Sequence, residues 1–114
     1  MSVRKTDLLQ RTLDLLILQT LGKGSSHGYA IAQRIHDLSD EVLRIEEGSL
    51  YPALYRLEQH GLIRSEWRIT ENNRKAKFYE LTRKGRVVAQ AELDGWRRLS
   101  EAVSRVLRGL QQET

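Results

Sequence analysis

The sequence predicts a mostly α-helical α+β chain, in which a small β-hairpin separates three short helices from one long C-terminal helix. Three observations predict it. Apolar residues recur at helical spacing in three successive stretches, 4–21, 26–38 and 50–60. Two alternating segments, 64–70 and 77–81, flank a polar, basic loop. From Trp96 onward apolar residues fall at intervals of 3, 4, 3 and 4, the spacing of a coiled-coil-like seam.

The first helix is expected from Arg4 to Leu21, with Leu8, Leu9, Leu13, Leu16, Ile17 and Leu21 on helical spacing and Leu15 and Leu18 on other sides. A helix apolar on more than one side needs two neighbours, so one face is expected in its own domain and another against a second subunit. Gly22 is a suitable stop. Ser25 and Ser26 can cap the second helix, whose inward positions are Ile31, Ile35 and Leu38. Residues 39–48 break the pattern, and Val42, Leu43 and Ile45 suit one short strand.

Ser49 is expected to cap the third helix, which places Pro52 in the first turn, where a missing amide proton costs nothing. Leu50, Ala53, Leu54 and Leu57 then face inward, leaving Tyr51, Tyr55, Arg56 and Gln59 outside, and Gly61 ends the helix. In the hairpin, Trp67 and Ile69 alternate on one strand and Tyr79 and Leu81 on the other, around a loop at residues 71–76; Trp67 is read as packing. Thr82 caps a last helix of about 28 residues, a rod of roughly 42 Å. That is longer than the ~25–30 Å diameter of a compact domain made from the preceding residues. Its seam residues Trp96, Leu99, Val103, Val106 and Leu110 therefore call for a partner.

Length and composition narrow the functional classes. At 114 residues the chain holds one compact unit, read as a globular part at 1–82 and a dimerisation helix at 83–114. It has no cysteine, which excludes disulfides, thiolate metal sites and thiol catalysis. His27, His36 and His60 have no metal-ligand spacing and read as surface or capping residues, so no metal and no cofactor is expected. No apolar run is long enough for a secretion signal or a membrane span, and the cytoplasm is the expected compartment. No nucleophile elbow or phosphate-binding glycine loop occurs, which argues against an enzyme.

Charge is where the composition becomes specific. The net charge is +4, but residues 64–86 hold eight Lys/Arg against three Glu, a local +5 that leaves the rest of the chain at about −1. Such concentration points to a local contact with a polyanion. Three helices followed by a basic hairpin form the winged helix-turn-helix arrangement, in which the third helix enters the major groove and the hairpin touches the backbone beside it. Arg74, Lys75 and Lys77 are candidates for phosphate contact; Tyr51, Tyr55, Arg56 and Gln59 are candidates for reading base edges.

These residues resemble a known family. The stretches His27-Gly28-Tyr29-Ala30-Ile31, Gly48 to Glu58 followed by Gly61-Leu62-Ile63, and Phe78-Tyr79-Glu80-Leu81-Thr82 with Gly85-Arg86 are similar to those of the PadR family of bacterial transcriptional regulators. The resemblance implies a winged-helix repressor, dimeric through its first and last helices, that binds a palindromic operator in double-stranded DNA. Ser49, Tyr51, Pro52 and Tyr55 match the start of the DNA-reading helix, Arg74 and Lys75 the wing tip, and Tyr79 and Leu81 core strand positions. Larger members carry a multi-helix C-terminal domain, whereas this chain has a single helix and looks like the short branch.

The dimer interface is expected from Leu9, Leu13 and Leu16 on the first helix and from Trp96, Leu99, Val103, Val106 and Leu110 on the last. Trp96 is read either as packing or as the contact of a small aromatic effector at the dimer centre. The competing function is a winged-helix module that binds protein without sequence-specific DNA binding.

Overall fold

The computed structural model describes residues 5–113, with side chains from Leu9 onward; the expected contributions of Arg4 and of the Leu8 side chain lie outside the described residues. The elements are α1 (Lys5–Leu21), β1 (Ser26–His27), α2 (Gly28–Leu38), α3 (Glu47–Gln59), β2 (Ile63–Ile69), β3 (Lys75–Leu81) and α4 (Arg83–Gln111). The three strands form an antiparallel sheet in the order β1-β3-β2. Four helices on a three-stranded sheet realise the α+β winged-helix class expected from the sequence.

α1 is the central helix. Leu13, Leu15, Ile17, Leu18 and Leu21 are all buried, and α1 packs against α2, α3, β3 and the start of α4. Its apolar residues on several sides are thus covered largely within one chain, which leaves less of α1 than expected for another subunit. Leu13, read as an interface residue, is 8% exposed and belongs to the chain's own core. Leu16 is partly buried against that core, and Leu9, one turn earlier, is exposed. Ile17, Ile31, Leu50, Leu54 and Ile63 complete the centre of the core, each worth about 2 kcal/mol of burial relative to exposure.

Leu38, expected to face inward, is 74% exposed at the end of α2, and three further local expectations are corrected. Ser25 and Ser26 do not cap α2: Ser26 and His27 pair with Tyr79 and Phe78 as β1, and the His27 ring accepts the Ala30 amide through Nδ1 at 3.2 Å. Residues 42–45 form no strand. Asp40 (φ 53°) and Glu41 (φ 69°) both turn left-handed to close α2, and Ser39 Oγ accepts the Leu43 amide at 2.9 Å.

The third correction concerns α3, which starts at Glu47 rather than after Ser49, because the Ser49 and Leu50 amides both bond to the Glu46 carbonyl. Pro52 consequently lies beyond the first turn, where it removes one intrahelical bond to the Gly48 carbonyl. Gly48 is exposed, so water can take that bond.

The end of α3 and the start of α4 follow their sequence signals. Gly61 adopts φ 73°, and the Gly61 and Leu62 amides bond back to the carbonyls of Glu58 and Leu57 at 3.0 Å each, the paired bonds of a glycine-terminated helix. Thr82 Oγ1 accepts the Gly85 amide at 3.0 Å and donates to the Gly61 carbonyl at 2.6 Å. Gly85 and Ala89 are buried against the rest of the fold, and Gln19 Nε2 donates to the Ala89 carbonyl at 2.8 Å. Beyond them α4 runs free of the globular part, giving overall dimensions of 61 × 29 × 27 Å.

A Cβ at Gly85 would lie 1.8 Å from the Leu62 carbonyl oxygen, a backbone atom that cannot step aside alone. Gly85→Ala is therefore expected to cost about 3 kcal/mol and to lower the thermal midpoint by roughly 10–20 °C in a melt followed by circular dichroism. A midpoint within about 3 °C of the parent would contradict this packing.

Candidate nucleic-acid interface

α3 presents two different outward stripes. Tyr51, Tyr55 and Gln59 recur at intervals of four and are exposed, the tyrosines to 45% and 67%. Ser49, Pro52 and Arg56 instead border a groove shared with Leu9 and Leu13 of α1 and with Leu43 and Ile45 of the connecting loop. Arg56 Nη2 donates to Asp14 Oδ1 at 2.6 Å, and both side chains are less than a third exposed. With its amide oxygen turned toward the guanidinium, Gln10 adds another acceptor. Burial raises the Asp14 carboxyl above its ordinary value, and the Arg56 charge and hydrogen bond oppose that rise. Arg56 thus ties α3 to α1, a placement unlike that of Tyr51 and Tyr55.

Tyr51 owes its position to Gly28. A Cβ at Gly28 would meet the Tyr51 hydroxyl at 2.9 Å and its ring at 3.0 Å, so the ring rests on the bare backbone at the start of α2. Tyr79, buried on β3, has its hydroxyl pKa raised by burial first and then by the Glu58 and Tyr51 charges.

Glu58 joins α3 to the wing. Its Oε2 accepts from Ser65 Oγ at 2.6 Å, and its Oε1 lies 3.8 Å from Lys77 Nζ, which in turn sits 5.9 Å from the centre of the Tyr79 ring. Lys77 is therefore partly neutralised within the chain. Arg74 and Lys75 differ: both are exposed at the hairpin tip, and among the described residues neither is in an ion pair. The tip is narrower than expected, with Lys75 and Ala76 inside β3. The turn closes through Asn73 at φ 57°, with the Thr70 amide bonded to the Arg74 carbonyl at 2.7 Å.

On the far face of the hairpin, Arg64 bonds to Glu80 at 2.7 Å and holds that carboxyl below its usual range. Arg68 bonds to Glu66 at 2.6 Å and to Ser25 Oγ at 3.1 Å, and lies 5.0 Å over the Phe78 ring.

The residue that sequence reasoning misplaced is Trp67. It is 63% exposed, with Ile69 at 70%, because the hairpin extends past the part of the sheet that α3 covers. Strand alternation identified their shared face; the length of the overhang had no local signal. Tyr29, 68% exposed at the start of α2, was also not singled out. Among the described residues no cluster of three or more metal-ligating side chains occurs, and no helix is long and apolar enough to cross a membrane.

A helix with an exposed aromatic stripe, braced beside a wing whose tip carries unpaired cations, defines a winged-helix regulator of transcription. The Transcriptional regulator PadR-like family model matches residues 17–91, and the chain belongs to that family. It is 36% identical over 100 residues to a transcriptional regulator of Mycobacterium tuberculosis, covering 88% of this chain and 86% of that protein. Among solved structures it resembles a transcriptional regulator from Clostridium thermocellum (TM-score 0.77, 29% identity, 90% of this chain and 97% of that one). It also resembles a PadR family transcriptional regulator from Eggerthella lenta (TM-score 0.70, 33% identity, 90% and 88%). The chain is accordingly a DNA-binding transcriptional regulator and not an enzyme.

The contact between Gly28 and Tyr51 gives a test of the site. Because the obstructing atoms are the end of a partly exposed side chain, Gly28→Ala is expected to keep the melting midpoint within about 5 °C while displacing the Tyr51 ring. Tyr51 ring resonances unchanged by the substitution in NMR spectra would refute this seat.

Proposed function

We propose that the chain acts in the cytoplasm as a homodimeric repressor that binds a palindromic operator through α3 and the wing, and so blocks access to the promoter. The observation that carries this reading is the uncovered apolar side of α4. Trp96, Leu99, Val103, Val106 and Leu110 are 46–60% exposed in the single chain, on a helix segment that has left the globular part. A seam of that kind is covered when a second copy packs along it, and Leu9, 57% exposed on α1, is further apolar surface available to a partner. In this reading residues 1–82 recognise DNA and residues 83–114 hold the dimer.

Tyr51, Tyr55 and Gln59 face the major groove, and Arg74 and Lys75 engage phosphates, joined by Lys77 when DNA competes with Glu58; Ser49 and Pro52, on the stripe that borders α1, are less suited to base contact. Arg56 is better suited to holding α3 against α1 than to reading bases, because its guanidinium is already engaged. Trp96, partly exposed on the seam, is a candidate platform for a small planar aromatic effector that would alter the dimer and release the operator.

Two-fold symmetry makes a geometric prediction. Selection of bound sequences from random duplex pools should enrich an inverted repeat whose half-site centres are about 10 base pairs, or ~34 Å, apart. Enrichment of one asymmetric site would contradict the dimeric reading, and no enrichment at all would favour the protein-binding module. Replacing both Arg74 and Lys75 with Glu should weaken binding to every duplex and, with two wings per dimer, reduce the salt slope by about four ions. An altered base preference in the enriched pool would show that the wing reads sequence instead.

A further inference from the structure

Successive side chains of a strand alternate between faces, so Ile63, Ser65, Trp67 and Ile69 share one face of β2. They stand opposite Leu81, Tyr79, Lys77 and Lys75 of β3. This face begins in the core and ends in solvent. Ile63, Leu81 and Tyr79 are buried, Ser65 and Lys77 meet Glu58 of α3, and Trp67 and Ile69, on the two rungs past Ser65, stand exposed. The opposite face carries the ion pairs Arg64 with Glu80 and Arg68 with Glu66, and its aromatic, Phe78, is covered by Arg68 and the His27 ring. The hairpin therefore leaves its uncovered aromatic and aliphatic side chains, Trp67 and Ile69, on the side of α3.

The exposed indole and the exposed isoleucine lie side by side on one face of the hairpin and form a continuous apolar patch. Charge identifies the occupant. Trp67 lies directly across from Lys77, Ile69 across from Lys75, and Arg74 follows at the tip. A second copy of the hairpin would bring like charges against these, and among the described ion pairs only Lys77 is matched by a carboxylate, Glu58. A surface of alternating apolar and cationic groups matches the wall of a duplex, where deoxyribose C–H edges alternate with phosphates.

We propose that Trp67 and Ile69 pack on deoxyribose edges of bound DNA between the phosphates that Lys75 and Lys77 engage. The wing is then held by an apolar, salt-independent contact as well as by charge. This inference rests on the DNA-binding reading of α3 and the wing and extends it to residues that are neither basic nor base-reading. Such a contact adds affinity and fixes the wing's depth without specifying sequence.

Hydroxyl-radical cleavage tests it directly, because the radical abstracts hydrogen from deoxyribose and so reports shielded sugars. The full chain, its Trp67→Ala and Trp67→Phe variants and an Ile69→Ser variant are compared on a duplex obtained by selection. The parent and Trp67→Phe should protect sugars flanking the bases covered by α3. Trp67→Ala and Ile69→Ser should lose that flanking protection and bind about tenfold more weakly, with the salt slope unchanged because no phosphate contact is removed. Flanking sugars that Trp67→Ala and Ile69→Ser protect as well as the parent does would overturn the inference while leaving the DNA reading intact. A salt slope lower by about two ions, one per protomer, would overturn it too, since the patch would then act through phosphate. Absence of duplex binding by the parent itself would overturn the DNA reading, and the inference with it. Both side chains are exposed, so all variants are expected to melt within a few degrees of the parent; if Trp67→Ala alone fails to fold, Ile69→Ser decides.

Discussion

The rest of the structure depends on the junction between residues 60–62 and 82–85. There the Thr82 amide bonds to the Leu62 carbonyl at 3.1 Å, the Thr82 hydroxyl bridges Gly61 and Gly85, and Lys84 Nζ donates to the His60 carbonyl at 3.0 Å. Gly85 lets α4 pass against the Leu62 backbone at a distance that admits no side chain. One small cluster of backbone bonds thus fixes the end of α3, the root of the wing and the direction of α4 together. The proposed DNA-reading surface and the proposed dimer seam are consequently parts of one rigid piece, so the spacing of two copies of α3 follows from how two copies of α4 pack.

Electrostatics look different once the ion pairs are located. The segment 64–86 carries +5, yet Arg64, Arg68 and Lys77 face carboxylates within the hairpin or on α3. The cations left for a polyanion are the wing tip, Arg74 and Lys75, with Arg83, Lys84 and Arg86 exposed on the first turns of α4. Those internal pairs are largely exposed and contribute little stability each, but they leave the apolar rung of Trp67 and Ile69 framed by lysines on the α3 side only.

Most of the fold was legible because its signals are local. The inward face of α3, the glycine stop at Gly61, the Thr82 cap and the seam of α4 each declare themselves within a few residues. What was not legible was non-local. β1 is two residues long and exists only because Ser26 and His27 find Tyr79 and Phe78, some fifty residues away. The crowded apolar sides of α1 could not reveal whether α4 or another chain would cover them. Pro52 sits deeper in α3 than expected because the helix begins at Glu47, and nothing in the local pattern separates that start from one at Ser49. Within the site, the tyrosine stripe and the wing tip could be read from spacing and charge. The engagement of Arg56 with Asp14 and the exposure of Trp67 required knowing which helices lie alongside.

The central claim is that a rigid junction and a shared α4 seam hold two copies of α3 one turn of DNA apart. The absence of native cysteine allows Ser49, at the exposed start of α3, to carry the chain's only thiol and a single spin label. Pulsed electron–electron resonance on the free protein should then give one narrow inter-label distance of about 34 Å. Loss of all dipolar coupling, or a broad spread of distances, would contradict the account.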